Sequence, residues 1–308
     1  MASPLAHQTG FLYAILQPIM LGAEVVLLDR WDAPVGVELM QKHGCTFTMG
    51  ATPFLSDIVE MPNVQDFDLS KLHTFASAGA PIPPALVQKA AANFSFKVLS
   101  GWGMTECAAS TICDPNDPDE KVWTSDGAPL PHTEVRIQRH DGTSAGYGEE
   151  GLLEVRGAPM FVGYLKKPEL YGTDADGWFD TGDQAFLHPD GYIRITGRAK
   201  DIIIRGGENI PVVEVEDVLY RHPAVAEVAV VGVPDNRLGE RGCAFITLQA
   251  GGKLVLDEMI SYLDEKGTAK QYWPEFLEII KEMPRTPSGK VQKFKLREMA
   301  KSQARNPA

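Results

Sequence analysis

Cysteine is scarce: the 308 residues hold four, Cys45, Cys107, Cys113 and Cys243, with no C-x-x-C pair and no zinc-type spacing. A disulfide scaffold and a sulfur-bound metal are thereby excluded, and free thiols in a reducing cytoplasm are expected. Positive charge is also short, 29 Lys plus Arg against 41 Asp plus Glu, a formal charge of −12. That argues against a general nucleic-acid or anionic-membrane surface and leaves any anionic ligand to local basic groups. Residues 11–28 are mostly apolar, but Gln17, Pro18, Gly22 and Glu24 interrupt them, so no membrane span is expected. The N-terminus has neither a basic n-region nor a small-residue cleavage site, and the sequence shows no internal repeat or low-complexity tract.

What is present is an ordinary globular mixture, 44% hydrophobic and 23% charged, at a length that predicts about two domains. Residues 11–28 read as a buried helix, a stop at Gly22 and a core strand over 24–28. Helices over 35–44 and 83–93 then alternate with strands over 45–49 and 97–100. Such alternation predicts a largely parallel sheet covered by helices, with ligands beyond the carboxyl ends of the strands, in the loops after Phe75 and Leu99.

The texture changes after Asp114. Period-two segments over 133–138, 152–156 and 192–196, with Asp-Gly turns at Asp141, Asp176 and Asp190, predict a small antiparallel barrel or sandwich. From residue 198 onward the pattern is strand 201–205, helix 211–221, strands 225–233 and 243–249, helix 257–266 and strand 276–282. Proline opens the first of these helices, and Val212, Val215, Val218 and Leu219 share one face of it. The fold expected is α/β and α+β. Residues 1–197 would be a layered α/β part (1–123) with a β-barrel subdomain (124–197), and 198–308 a small α+β domain.

Two motif matches fail on context. Gly146, Gly148 and Gly151 spell G-x-G-x-x-G but precede a strand, whereas a dinucleotide fingerprint must follow a strand and open a helix. Pro287-Ser288-Gly289-Lys290 imitates the end of a Walker A loop, but Val291 follows the lysine and Pro284 stands where the first glycine belongs.

Six other segments occur in order: Ser77-Ala78-Gly79-Ala80-Pro81, Gly101-Trp102-Gly103-Met104-Thr105-Glu106, Trp178-Phe179-Asp180-Thr181-Gly182-Asp183, Gly197-Arg198-Ala199-Lys200-Asp201, Gly206-Gly207-Glu208-Asn209, and residues 284–290. With this set the sequence resembles the acyl-activating (adenylate-forming) enzymes, the acyl-CoA synthetase and luciferase superfamily. Within it the likeness is to the short- and medium-chain or alicyclic acyl-CoA ligases, and it runs from Pro4 and His7 to Lys290.

The resemblance implies ATP, Mg²⁺ and coenzyme A: a carboxylate and ATP give an acyl-adenylate and pyrophosphate, then the thiol displaces AMP. It implies that Ala78, Gly79, Ala80 and Trp102 hold the adenine, that Gly103 belongs to the nucleotide site, that Thr105 bonds the α-phosphate, and that Glu106 holds Mg²⁺. Asp183 and Arg198 would take the ribose, and Lys290 would bridge the attacking carboxylate and the phosphate. Lys200 would be the hinge of a mobile small domain, near 198–201, and Gly206 and Gly207 would line the pantetheine path. His7 matches the position that separates acyl and thiol pockets. Gly50-Ala51-Thr52-Pro53 and Gly101 align weakly with the acyl-pocket walls, which suits a smallish apolar acid without an α-amino group.

Taken alone, several of these residues admit plainer readings. Trp102 fits an ordinary core as well as a ligand face, Glu106 could cap a helix after Thr105, and Asp180 and Asp183 could form turns beside Gly182. The family's Ser/Thr/Gly-rich phosphate loop lies upstream of the His7 position, and this sequence starts six residues before it. The expectation is therefore an acyl-CoA ligase truncated at its N-terminus and inactive, or nearly so, alone. The alternatives are a non-catalytic fragment that binds nucleotide weakly or forms a homo-oligomer through open sheet edges, and acyl transfer to a carrier protein.

Overall fold

A computed structural model describes residues 1–79, 82–139 and 141–304. The protein divides into two compact units: Met1–Thr181 with Ala185–Ile195 and Pro287–Lys290, and Gly182–Gln184 with Thr196–Thr286 and Val291–Ala308.

The first unit opens with α1 (Gln8–Phe11), a π-helical turn (Leu12–Leu16) and α2 (Gln17–Leu21). Gly22 ends the helix in the left-handed region, φ 62°, as expected of a glycine stop. The helix is not buried as expected: Ile19, Met20 and Leu21 are 74%, 83% and 71% exposed. Nor do residues 24–28 form a strand. A strand needs a neighbour for its backbone groups, and here the Met1 amine donates to Val26 C=O (2.8 Å) while Leu28 N–H donates to Met1 C=O (3.0 Å).

Next come α3 (Ala33–His43), β1 (Phe47–Gly50), α4 (Thr52–Val59), β2 (Thr74–Ser77), α5 (Pro84–Asn93) and β3 (Lys97–Met104). Local chemistry explains the helix ends: Asp32 caps α3 by accepting the Val35 N–H at 3.1 Å, prolines occupy the first turns of α3, α4 and α5, and Gly44 closes α3 with φ 57°. Strands β1, β2 and β3 are parallel, Met49 standing beside Ala76 and Ala76 beside Leu99. The expected strand ending at Ser100 continues to Met104, because Gly101–Met104 pair antiparallel with β4 (Ala108–Ile112). No helix follows Thr105; residues 105–107 are the turn of that hairpin.

After α6 (Asp119–Thr124), β5 (Ala128–Pro129) joins β4, completing the order β1-β2-β3-β4-β5. The antiparallel segment is a second sheet of β6 (Thr133–Gln138), β7 (Gly151–Gly157), β8 (Phe179–Leu187) and β9 (Ile193–Arg198), in sequential order. Its core gathers Trp102, Cys107, Ile137, Leu153, Val155, Phe179, Ala185 and Ile193, with Met104 and Met160 against it. Strand β8 runs through Thr181-Gly182-Asp183, a triplet that reads as a loop from sequence; Gly182, φ 69°, bends the strand without ending it. Gly151 opens a strand, consistent with rejecting the dinucleotide fingerprint.

In the second unit β10 (Ile203–Arg205) and β11 (Glu208–Ile210) form a hairpin, followed by α7 (Val212–Tyr220), β12 (Val225–Asp235), β13 (Gly239–Leu248), α8 (Leu256–Glu265), β14 (Phe276–Ile279) and α9 (Lys293–Ala304). The strand expected from residue 201 starts later because Ala199–Asp201 is a 3₁₀ turn, its Asp201 carboxylate paired with the Arg297 guanidinium. Period-two alternation builds two cores. Val230, Ala244 and Ile246 face Val215 and Leu219 of α7 and Met259 and Leu263 of α8, while Ala229, Val231, Cys243 and Phe245 face Met283 and Leu296 and Ala300 of α9. Burying a side chain such as Phe245 or Leu219 fully is worth roughly 1.5–3 kcal/mol. Among the described residues no helix is long and apolar enough to cross a membrane.

Candidate active site

The first unit holds an open cavity of about 590 Å³, the solvent at its mouth included. His7, Ala78, Gly79, Trp102, Gly103, Thr105 and Lys290 all line it, seven positions singled out from the sequence. The walls between them are Leu12, Tyr13, Met49, Ala76 and Ile112. One enclosure therefore offers an ammonium and a hydroxyl for an anion and aliphatic side chains for hydrocarbon.

Strand ends create this arrangement. Loop 78–79 leaves the carboxyl end of β2, and Gly79 there holds φ +86°, a conformation that side chains rarely adopt. The Lys290 stem lies across it: a Cβ on Gly79 would stand 3.2 Å from Lys290 Cε and 3.7 Å from Nζ. The segment carrying this lysine is seated through Gly289, φ +87°, whose missing Cβ would lie 3.5 Å from Phe54, 3.7 Å from Ala51 and 3.9 Å from Pro53. Of the residues aligned with an acyl wall, Gly101 lines the cavity, whereas Gly50 packs on Phe54 and Phe75 beside a second cavity. That second space is lined by Trp31, Met40, Phe47, Phe54 and Phe75, together with Met1, Cys45 and Thr48.

Trp102 is 8% exposed, part of the sheet core and a wall of the cavity at once. Its backbone N–H donates to Thr111 Oγ1 (3.3 Å), which donates to the Asp126 C=O (2.6 Å). Gly103 has a local reason to be glycine, since a Cβ would fall 2.1 Å from the Ala108 carbonyl oxygen. Thr105 sits in the hairpin turn, its C=O accepting from Gln8 Nε2 at 3.3 Å. His7 caps α1: its Nδ1 accepts the Thr9 N–H at 3.3 Å, which places the ring proton on Nε2. Burial first, and then the Lys290 charge, lowers the His7 pKa from its ordinary value, so the ring is neutral near pH 7.

Glu106 follows Thr105 in the turn. Its Oε1 accepts the Tyr164 hydroxyl at 2.7 Å, and its C=O accepts the Phe161 N–H at 2.7 Å. Among the described residues no cluster of three or more His, Cys, Asp or Glu could hold a resident metal. Glu106 is not among the residues that line the cavity, although its neighbour Thr105 is; a carboxylate on this turn suits magnesium that arrives with a nucleotide, since that ion keeps phosphate oxygens and waters as its other ligands.

The remaining expected positions lie elsewhere. In the second unit Arg198 Nε donates to Asp183 Oδ1 at 2.8 Å, pairing a nearly buried carboxylate with a guanidinium 57% exposed. Lys200 is in the 3₁₀ turn, and Gly206 and Gly207, φ 62° and 88°, make the β10–β11 hairpin turn. Ala80 falls outside the described residues. Sequence reasoning missed Tyr164, whose bond to Glu106 spans 58 positions, and the apolar wall of Leu12, Tyr13 and Met49.

Residues 1–165 match the AMP-binding enzyme family, and residues 214–290 match the AMP-binding enzyme C-terminal domain. The protein belongs to the AMP-binding enzyme family. It is 39% identical over 300 residues to the medium-chain fatty-acid–CoA ligase of Escherichia coli K12, an overlap of 96% of this chain and 53% of that protein. It is 36% identical over 302 residues to the 3-[(3aS,4S,7aS)-7a-methyl-1,5-dioxo-octahydro-1H-inden-4-yl]propanoyl:CoA ligase of Rhodococcus jostii RHA1, an overlap of 97% and 56%. Among solved structures, ATP-bound MatB from Rhodopseudomonas palustris superposes with a TM-score of 0.89 at 28% identity, over 98% of this chain and 60% of that one. The chain spans about half the length of the curated relatives it matches.

Proposed function

We propose that this protein performs the chemistry of an AMP-forming acyl-CoA ligase, using ATP to join a short- or medium-chain or alicyclic carboxylic acid to coenzyme A. The observation that supports the proposal most directly is the convergence of Lys290, His7, Gly79, Trp102 and Thr105 on one cavity with an aliphatic wall. The names of the Escherichia coli and Rhodococcus relatives support the substrate class.

In this reading Trp102, Ala78 and Gly79 receive the adenine, Gly103 belongs to the nucleotide site, and the Thr105 hydroxyl donates to the α-phosphate. Glu106 would hold Mg²⁺, which when bound would neutralise phosphate charge. Leu12, Tyr13, Met49 and Ile112 take the hydrocarbon. The Lys290 ammonium draws the acid's carboxylate onto phosphorus by lowering the repulsion between two anions, and removing such a preorganised group costs on the order of 10²–10³ in rate. A neutral His7 keeps a second positive charge away from Lys290 and borders the acyl end. Asp183 and Arg198 serve the ribose, Lys200 is a hinge, and Gly206 and Gly207 leave room for pantetheine.

Incubation with ATP, Mg²⁺, coenzyme A and a panel of linear medium-length or alicyclic acids tests the proposal. AMP and an acyl-CoA should appear together in equal amounts and vanish in Lys290→Ala. A second reading, nucleotide binding without turnover, draws on the protein's spanning about half of its relatives. Saturable binding of AMP with no product under those conditions selects it. Transfer to a phosphopantetheinylated carrier protein instead of coenzyme A would show as competition between the two acceptors.

A further inference from the structure

We infer that Tyr164 is a positioning residue for Glu106, fixing that carboxylate in the orientation in which it meets a metal–nucleotide complex. The inference rests on the acyl-CoA ligase reading and deepens it by a residue on a separate loop.

One loop grips Glu106 twice. The Tyr164 hydroxyl donates to Oε1 at 2.7 Å, and the Phe161 N–H, three residues earlier, donates to the backbone carbonyl of the same acid at 2.7 Å. The loop is braced from behind by aromatic edges: the Phe161 ring lies 4.8 Å from Tyr164, 4.7 Å from Tyr171 and 5.4 Å from Phe179, centroid to centroid. Gly163, φ +135°, turns the backbone between the two contacts, with Tyr171 Cγ 3.7 Å from where a Cβ would be, and Lys167 N–H closes the turn onto the Tyr164 C=O at 3.1 Å.

The chemistry of the grip is what points to a ligand. Packing alone would be served by a phenylalanine, because Phe161 already makes the aromatic contacts. A hydroxyl aimed at an acid on a hairpin turn does something else: it removes the carboxylate's rotational freedom before any ligand arrives. An arginine or lysine in the same place would also cancel the charge and compete with a cation. A neutral phenol orients the carboxylate and leaves its charge for the metal. An ionised carboxylate has about four acceptor positions, so one donor on Oε1 does not saturate it. Partners of this kind, one bond removed from a metal, typically govern affinity by 10–100-fold.

The test uses this 308-residue chain with ATP and Mn²⁺, reading free Mn²⁺ by electron paramagnetic resonance. Tyr164→Phe should weaken Mn²⁺–ATP binding roughly tenfold with an unchanged melting temperature. In a Glu106→Gln background the same change should have no further effect, since a residue acting through Glu106 has nothing left to act on. Tyr164→Leu, which also removes the ring, should lower the melting temperature while weakening Mn²⁺ no more than Tyr164→Phe does. Unchanged affinity in Tyr164→Phe, or losses that add to those of Glu106→Gln, would overturn the role and leave the ligase reading standing. Failure of the unmodified protein to take up Mn²⁺ with ATP would overturn that reading and this role together.

Discussion

Lys290 lies across Gly79, with its Cε 3.2 Å from the point a Cβ would occupy. The contact joins two residues 211 positions apart (290 minus 79) and depends on a glycine at φ +86°. Gly79→Ala should therefore do two things: cost about 1 kcal/mol from the left-handed backbone, and push the lysine aside. Gly142→Ala is the control, since Gly142 has φ +84° but nothing within 4 Å of its Cβ position. Urea titration should show similar losses for both, whereas binding of AMP or an acyl-adenylate analogue should fall only in Gly79→Ala. Equal binding losses would mean that the contact has no part in ligand binding.

His7 sets a pH dependence whose sign follows from its lowered pKa, caused first by burial and then by Lys290. Above about pH 6.5 the ring is neutral in both the folded and the unfolded state, and it makes no pH-dependent contribution. Below that value the unfolded state takes up the proton first, so stability falls with pH until the folded ring also protonates. His7→Gln should flatten this part of the melting-temperature profile as the medium is taken from neutral to mildly acidic. A profile as steep as the parent's would assign the drop to other groups.

The antiparallel sheet has its own test in Trp178, which lies beneath two guanidinium groups. Arg136 and Arg156 are each 4.5 Å from the indole, and the arginines are held in turn by Glu154 with Asp174 and by Glu134. Trp178→Leu should cost about 2–3 kcal/mol, combining lost buried area with two lost cation–π contacts. Arg156→Met, which keeps the aliphatic stem over the ring, should cost under about 1 kcal/mol. Urea unfolding followed by circular dichroism measures both. A larger effect for the arginine than for the tryptophan would place the stabilisation in the ion pairs.

Thiol chemistry should divide the cysteines. Burial pushes the Cys113 thiol up to about 11 and Cys243 up to about 12, and Cys107 is fully buried, whereas Cys45 is only partly covered. At about pH 8 Ellman's reagent should modify Cys45 alone, slowly because burial raises its pKa too, and the other three only on unfolding. Rapid reaction of two or more thiols in the native protein would show that these cores open readily.

Much of the architecture was legible in sequence wherever a local signal had a single meaning. A proline at its start placed α7, the Gly22 stop ended α2, and alternation placed β6 and β7. Glycine misled where its purpose was close approach: Gly101 and Gly103 read as a loop, but they sit inside β3 because Thr111 and Ala108 carbonyls press against them. Thr181-Gly182-Asp183 read as a turn because of its glycine beside aspartates, although Gly182, φ 69°, only bends β8. Helix α9 was missed since its basic sequence offers few apolar positions, of which Leu296 and Ala300 are the buried ones. The expected strand over 24–28 failed because a single strand's signal carries no information about whether a neighbour exists. At the candidate site, motif order named seven cavity residues, while Tyr164 was invisible because a hydroxyl–carboxylate bond between distant loops leaves no periodic trace.

The decisive measurement is calorimetric titration of the protein with a non-hydrolysable sulfamoyl analogue of a medium-length acyl-adenylate, compared with Lys290→Ala. One site per molecule should fill, and loss of the lysine's charge-assisted contact, worth about 1.5–3 kcal/mol, should weaken binding roughly 10- to 100-fold. No saturable binding, or equal affinity with and without the Lys290 ammonium, would leave the cavity without the role assigned to it.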